Sequence, residues 1–129
     1  MTEIPEDLRY TKSHEWARLA GGNCIIGITD FAQSELTDIV YVEMARAGDH
    51  VDVGDEIAVV ESVKAVSEIY ASLSGKVVEY NTELEESPET INEDPYGDGW
   101  IAVIEMDNPD DYEGLLSAKE YEGILEEQR

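Results

Sequence analysis

The chain has 129 residues, room for one domain with a real core and too few for two comfortable ones. Its hydrophobic fraction of 42% with 8% aromatics is ordinary for a globular protein, so the mean hydropathy of -0.36 reflects charge and not a missing core. The 31 Asp plus Glu against 8 Lys plus Arg give a formal charge of -23, which disfavours nucleic acid and anionic membranes and suits transient docking on basic partner patches.

No apolar run reaches the length of about 18 residues that spans a bilayer. Met1 to Leu8 is acidic and lacks an apolar signal region, so the expectation is a cytoplasmic, monomeric protein. Cys24 is the only cysteine, which excludes an intrachain disulfide and a structural zinc site built on cysteines.

In chain order, Tyr10 to Leu19, a Gly-Gly turn within Ala20 to Asn23, and the apolar run Cys24 to Thr29 predict a hairpin. Asp30 is placed to cap a short helix over Phe31 to Leu36, and a strand follows over Asp38 to Met44. Val51 to Asp55 reads as a glycine-bearing turn into the strand Glu56 to Ser62, with another strand over Val66 to Ala71. Ser72 to Gly75 then turns the chain into Lys76 to Asn81.

Gly54 lies ten positions before Lys64 and Gly75 eleven after it. That near-symmetry suggests two strand-turn-strand halves meeting at a protruding hairpin with Lys64 at its tip. Beyond Asn81 come an acidic connection with Pro88, a turn-rich stretch from Asn92 to Gly99, and a strand over Trp100 to Met106. Asn108 followed by Pro109 marks a helix start, and Ser117 with Glu120 forms a capping box for a last helix ending near Gln128. Leu115, Leu116, Tyr121, Ile124 and Leu125 supply the apolar face of these helices.

A lysine at a hairpin tip is free of packing, which suits a modifying enzyme better than general-base chemistry. Most exposed lysines do nothing, but the surroundings of Lys64 change that reading. Glu61, Ser62, Val63, Lys64 and Ala65 with Glu68 resemble a lipoate attachment hairpin, and Ser74, Gly75, Lys76 and Val77 match the turn that follows one. His14, Glu15 and Trp16, then Gly27, Ile28, Thr29 and Asp30, then Asp94, Pro95 and Tyr96 with Gly99 and Trp100, are similar to the H-protein family of the glycine cleavage system. The likeness runs from residue 4 to residue 127.

That resemblance implies a mainly β fold, a flattened barrel-sandwich hybrid with short helices and a C-terminal helical segment, forming one lipoyl-carrier domain over 1–129. It implies lipoate amide-linked to Lys64 on a non-catalytic carrier. In the family the arm accepts an aminomethyl group at a glycine decarboxylase (P protein) and delivers it to an aminomethyltransferase (T protein). A dihydrolipoamide dehydrogenase (L protein) then reoxidises it. Carried over by position, Ser13, Glu15, Ile28 and Glu68 would shelter the loaded arm, and Glu61 would help the lipoylating enzyme recognise the hairpin. The chain departs from the commonest family pattern at Phe31, Glu35, Thr37, Ala45 and Arg46, and at Ala71 to Leu73, where a proline is usual.

An enzyme reading must work with His14, His50 and Cys24, and no motif arranges them as nucleophile and base; His14 reads as a structural or docking residue beside Trp16. Asp49, Asp52 and Asp55 do not follow the calcium-loop pattern. Biotin attachment usually shows flanking methionines, where this chain has Val63 and Ala65. The alternative within the resemblance is an H-like lipoyl carrier used in lipoate relay or redox signalling, and a structural scaffold stands third.

The acidity generates its own test. If the excess charge is fitted to a salt-rich cytoplasm, screening relieves self-repulsion and the urea midpoint rises between dilute buffer and molar salt. An unchanged midpoint would mean the charge is simply solvated.

Overall fold

Alternation along the first hairpin builds both faces of the larger sheet. In the computed structural model, which describes residues 3–44 and 48–128, strand β2 (Glu15–Ala20) pairs antiparallel with β3 (Asn23–Ile28) across the Gly21-Gly22 turn. Cys24, Ile26 and Ile28 face the main core, while Ile25 and Gly27 face outward toward Trp16. Trp16 and Gly27 are cross-strand partners, and a Cβ on Gly27 would fall 2.6 Å from the indole. Only glycine lets the ring lie on the strand. The departures at Ala45 and Arg46, and Met1 at the acidic start, lie outside the described residues.

The remaining strands are β1 (Arg9–Tyr10), β4 (Ile39–Met44), β5 (His50–Val51), β6 (Glu56–Ser62), β7 (Val66–Tyr70), β8 (Gly75–Tyr80) and β9 (Ala102–Met106). They form a six-stranded sheet in the order β1-β2-β3-β9-β8-β5 and a three-stranded sheet in the order β4-β6-β7. The apolar faces of both sheets close over one core that includes Ile26, Ile28, Val42, Ile57, Val60, Ile69, Val77 and Ile104. This is the barrel-sandwich hybrid expected from the sequence. Cys24 is buried in that core, and burial pushes its thiol up to about 12.

The symmetry about Lys64 is real. β5 pairs with β8 in one sheet and β6 with β7 in the other, so each half crosses between sheets through its own turn. The two turns bind each other: Gly54 N donates to Ala71 O at 2.9 Å, and Ala71 N donates to Asp55 O at 2.8 Å. Gly54 has φ 91°, which glycine adopts without a Cβ clash.

A second cluster covers the outer face of the large sheet. Leu8, Tyr10, Trp16, Tyr96, Tyr121 and Leu125 pack there, the last pair contributed by helix α4 (Ala118–Glu127). The predicted capping box of Ser117 and Glu120 is formed, and the helix runs into Gln128.

One reading needs correction. Thr29, not Asp30, caps helix α1 (Asp30–Leu36): its hydroxyl accepts from Ala32 N, while Asp30 accepts instead from Glu3 N and Gln33 Nε2. The helix start at Asn108 and Pro109 is formed, as a 3-10 helix over Pro109–Gly114 with Asn108 as its cap. The acidic connection also contains single-turn helices α2 (Glu83–Glu86) and α3 (Thr90–Glu93), anchored by buried Leu84 and Ile91. Four residues are too few to show a helical period, so the sequence gives no signal for them.

Thr37 follows α1 with φ 65° and ψ -148°, a region that is nearly glycine-only. The glycine usual in the resembling family explains itself at this position. Asn92 holds the strained junction: Nδ2 donates to Thr37 O at 2.8 Å and Oδ1 accepts from Ile39 N at 3.0 Å. Replacing Thr37→Gly should release strain of about 1–3 kcal/mol, less roughly 0.5–1 kcal/mol for a looser unfolded chain. A net gain of about 1 kcal/mol in urea unfolding is expected, and a loss would show the threonine conformation to be unstrained.

Candidate functional site

The β6–β7 hairpin ends in a turn made rigid by one serine. Ser62 N donates to Ala65 O at 2.8 Å, closing the turn around Val63 and Lys64, and Ser62 Oγ accepts from Lys64 N at 3.1 Å and Ala65 N at 3.0 Å. Val63 N donates to Asp38 O at 3.0 Å, which ties the tip to the strained junction beside Thr37. The tip is therefore fixed while its side chains stand in solvent: Val63 is 70% exposed, and Lys64 is exposed. Lys64 Nζ lies 3.2 Å from Glu35 O, a carbonyl in the last turn of α1, where a cation is favoured. Glu61 sits at the base of the turn, partly buried, paired with Val66 across the hairpin and with Tyr41 on β4.

Of the four residues expected to shelter the arm, Ser13 and Ile28 adjoin Glu15 at a seam between the sheets, and Glu68 lies apart on β7. The Glu15 side chain is buried, with 1% exposure, so it is not the solvated surface carboxylate that its sequence surroundings allow. Oε1 accepts from Thr11 Oγ1 at 2.5 Å and from Ser13 Oγ at 2.6 Å. Oε2 has only a longer bond from Tyr70 N at 3.3 Å. Glu15 pairs with Ile28 across β2 and β3, and Glu68 lies two residues before Tyr70 on β7.

Ser13 and Glu68 are exposed, whereas Ile28 is 1% exposed and belongs to the core beneath the seam. Glu68 is four residues along β7 from Lys64, ~13 Å of extended strand. Among the described residues the one ion pair is His50 with Asp107 at 2.6 Å, so no lysine or arginine compensates the Glu15 carboxylate. A buried carboxylate with one oxygen saturated and the other underused is an acceptor prepared for a cationic donor.

Glu15 and Ser13 also border an apolar cleft of about 460 Å³ with Tyr70, Ser72 and Leu115 among its walls. Ser72 is buried and its hydroxyl has no partner. Sequence reading missed Thr11, Tyr70 and Ser72. Thr11, Ser13 and Glu15 alternate in the sequence, a spacing that could have suggested hydroxyls facing one carboxylate. The contact to Tyr70 joins residues 55 positions apart and leaves no local trace.

His14 stands beside Trp16 as expected, but its partner is the C-terminal helix. Its Nδ1 lies 2.8 Å from Tyr121 Oη, and Tyr121 Oη lies 2.8 Å from Thr29 Oγ1. Trp16 Nε1 donates to Pro95 O at 2.8 Å, and Tyr96 Oη accepts from Asp30 N at 3.0 Å. The separated motifs read from the sequence thus meet on the outer face of the large sheet.

The chain is similar to known proteins over nearly its whole length. Residues 8–128 match the family described as glycine cleavage H-protein. The glycine cleavage system H protein of Anaeromyxobacter sp. (strain K) is 56% identical over 126 residues, covering 98% of each chain. That of Xylella fastidiosa (strain 9a5c) is 55% identical over 127 residues, covering 98% of this chain and 97% of its own. The crystal structure of a glycine cleavage system H protein from Mycobacterium marinum superposes with a TM-score of 0.86 at 38% identity, covering 95% of this chain and 99% of that one.

The two histidines should titrate on opposite sides of 6.5. Burial holds His14 below that value, partly opposed by Glu15, Gln128 and Glu35, whereas the hydrogen bond and charge of Asp107 raise exposed His50. The signs follow by linkage. The contribution of neutral His14 to stability is complete above 6.5 and is lost as pH falls through its lowered folded value; that of His50 is present below 6.5 and is lost as pH rises through its raised one. Proton NMR of the two rings checks this, and a His14 midpoint above 6.5 would contradict its burial.

Proposed function

Since the chain belongs to the glycine cleavage H-protein family, we propose that Lys64 is the residue to which its lipoate is joined, through an amide on Nζ. The chain is the lipoyl carrier of the glycine cleavage system. When attached, lipoate supplies the dithiolane that takes an aminomethyl group from the P protein to the T protein and is reoxidised by the L protein. The protein supplies attachment, orientation and local electrostatics, and residues 1–129 act as one non-catalytic carrier domain.

The observation that carries this reading is the pairing of an exposed lysine on a rigid turn with a buried, uncompensated carboxylate, Glu15 of β2, that accepts from Tyr70 N at the far end of the same hairpin. A fixed tip offers Lys64 to a lipoylating enzyme without unfolding, and Glu61 at its base is the side chain that enzyme would read beside it. Amidation removes the charge of the amine and weakens its hold on the end of α1, which frees the arm for Glu15. Glu15 and Ser13, with Glu68 on the neighbouring strand and Ile28 as the floor, shelter a carried ammonium from water. Tethering raises the local concentration of the arm at each docked enzyme, and the net charge of -23 favours basic docking patches on the P, T and L proteins. No described helix is long and apolar enough to cross a membrane. We infer that the carrier works as a cytoplasmic monomer, in keeping with its net charge of -23. The relay or redox-signalling alternative is not favoured by relatives that match along the whole chain.

Incubation with a lipoate ligase, lipoate and ATP should add one lipoyl group to the intact mass, absent in Lys64→Ala. The lipoylated protein should then support exchange of carbon dioxide with the carboxyl of glycine by a P protein. Modification of the Lys64→Ala protein would move the attachment site elsewhere.

A further inference from the structure

Residues Thr11 to Glu15 form a tight turn. His14 N donates to Thr11 O at 3.1 Å, Glu15 N donates to Thr11 Oγ1 at 3.1 Å, and Thr29 N donates to His14 O at 3.0 Å. The turn depends on His14 having φ 72°, which histidine adopts more readily than most residues but still at some cost. This reversal brings Thr11 and Ser13 onto the same oxygen of Glu15 and leaves the other oxygen underused.

The His14 ring is held from outside the turn. Thr29 Oγ1 already accepts from Ala32 N, and its own hydrogen is free for Tyr121 Oη. Tyr121 then has its hydrogen for His14 Nδ1, so the chain Thr29 to Tyr121 to His14 uses every hydroxyl hydrogen once. The order requires neutral His14 with its proton on Nε2. Tyr121 is fully buried and stacked on Tyr10 at 4.7 Å between ring centroids, so its hydroxyl is a fixed point.

We propose that Tyr121 and His14 are positioning residues for the carried group: the C-terminal helix, through the Tyr121 hydroxyl, locks the turn that aims the free oxygen of Glu15. The inference rests on the reading of Glu15 as the shelter of the arm. It assigns α4 a part in carrier function although, among the described residues, no hydrogen bond joins α4 or the histidine ring to the Lys64 hairpin.

Tyr121→Phe removes the hydroxyl and retains the stack on Tyr10. In the unmodified protein, exchange at the His14, Glu15 and Thr29 amides should speed about tenfold while the Val63 and Lys64 amides are unchanged. In the loaded protein, without the T protein, ammonia release should accelerate by a similar factor, while the rate of lipoylation at Lys64 is unchanged. His14→Asn retains an acceptor and tolerates positive φ, so it should restore much of the protection that His14→Leu loses.

Glu15→Gln separates the two readings. If it leaves ammonia release unchanged, the shelter at Glu15 is wrong, and the amide exchange alone judges whether Tyr121 locks the turn. If it accelerates release while Tyr121→Phe and His14→Leu change neither exchange nor release, the positioning role is overturned. Uniform acceleration of all amides in Tyr121→Phe would equally overturn it, because the helix would then be only a stabiliser.

Discussion

A carboxylate removed from water must find donors, and the disposition of Glu15 follows from that requirement. Thr11 and Ser13 satisfy one oxygen from within its own turn, and Tyr70 reaches the other from the opposing sheet. The bond from Tyr70 N ties β2 to the open edge of β7, so the joint between the sheets is also the joint between scaffold and site. The partnership is asymmetric. One oxygen is saturated by short bonds and the other is served by a single long one, which leaves an acceptor with capacity inside an otherwise closed seam.

The hairpin beside that seam shows how rigidity and reach are combined. Two strand-turn-strand halves cross between sheets, bind each other at Gly54, Asp55 and Ala71, and project a turn closed by Ser62. Hydrogen bonds hold the turn up to Cα of Lys64, and beyond it the side chain stands in solvent with one contact, from Nζ to Glu35 O. A partner therefore meets a defined surface with one exposed side chain projecting from it. The junction at Thr37, held by Asn92 under the tip, belongs to the same scheme: strain accumulates where the chain is over-determined by neighbours.

Much of this was legible in the sequence because the informative signals are local. Gly21-Gly22, Ser117 with Glu120, and the symmetric glycines about Lys64 each predicted a turn or cap that the structure contains. The hairpin that carries Lys64 and the family were readable for the same reason, since their motifs are contiguous. What could not be read is carried by pairs far apart in the chain. Tyr70 on Glu15 and Tyr121 on His14 span 55 and 107 positions and have no periodicity. The burial of Glu15 also escaped, because a strand-end glutamate beside polar residues resembles a solvated one. The single-turn helices at Leu84 and Ile91 fell below the length at which a period exists, and the cap at Thr29 was assigned one residue late because Asp30 has the same capping chemistry.

The position of Cys24 has a bearing on sulfur chemistry. A carrier that presents a dithiol or a strained disulfide must coexist with any thiol of its own, since a thiolate attacks a disulfide through a mixed disulfide. Cys24 projects into the core between the sheets, and burial pushes its thiol up to about 12, so almost no thiolate exists at neutral pH. The barrel therefore acts as an insulator: Cys24 is walled off from the surface, so a disulfide or dithiol presented outside meets no reactive thiol of the carrier itself.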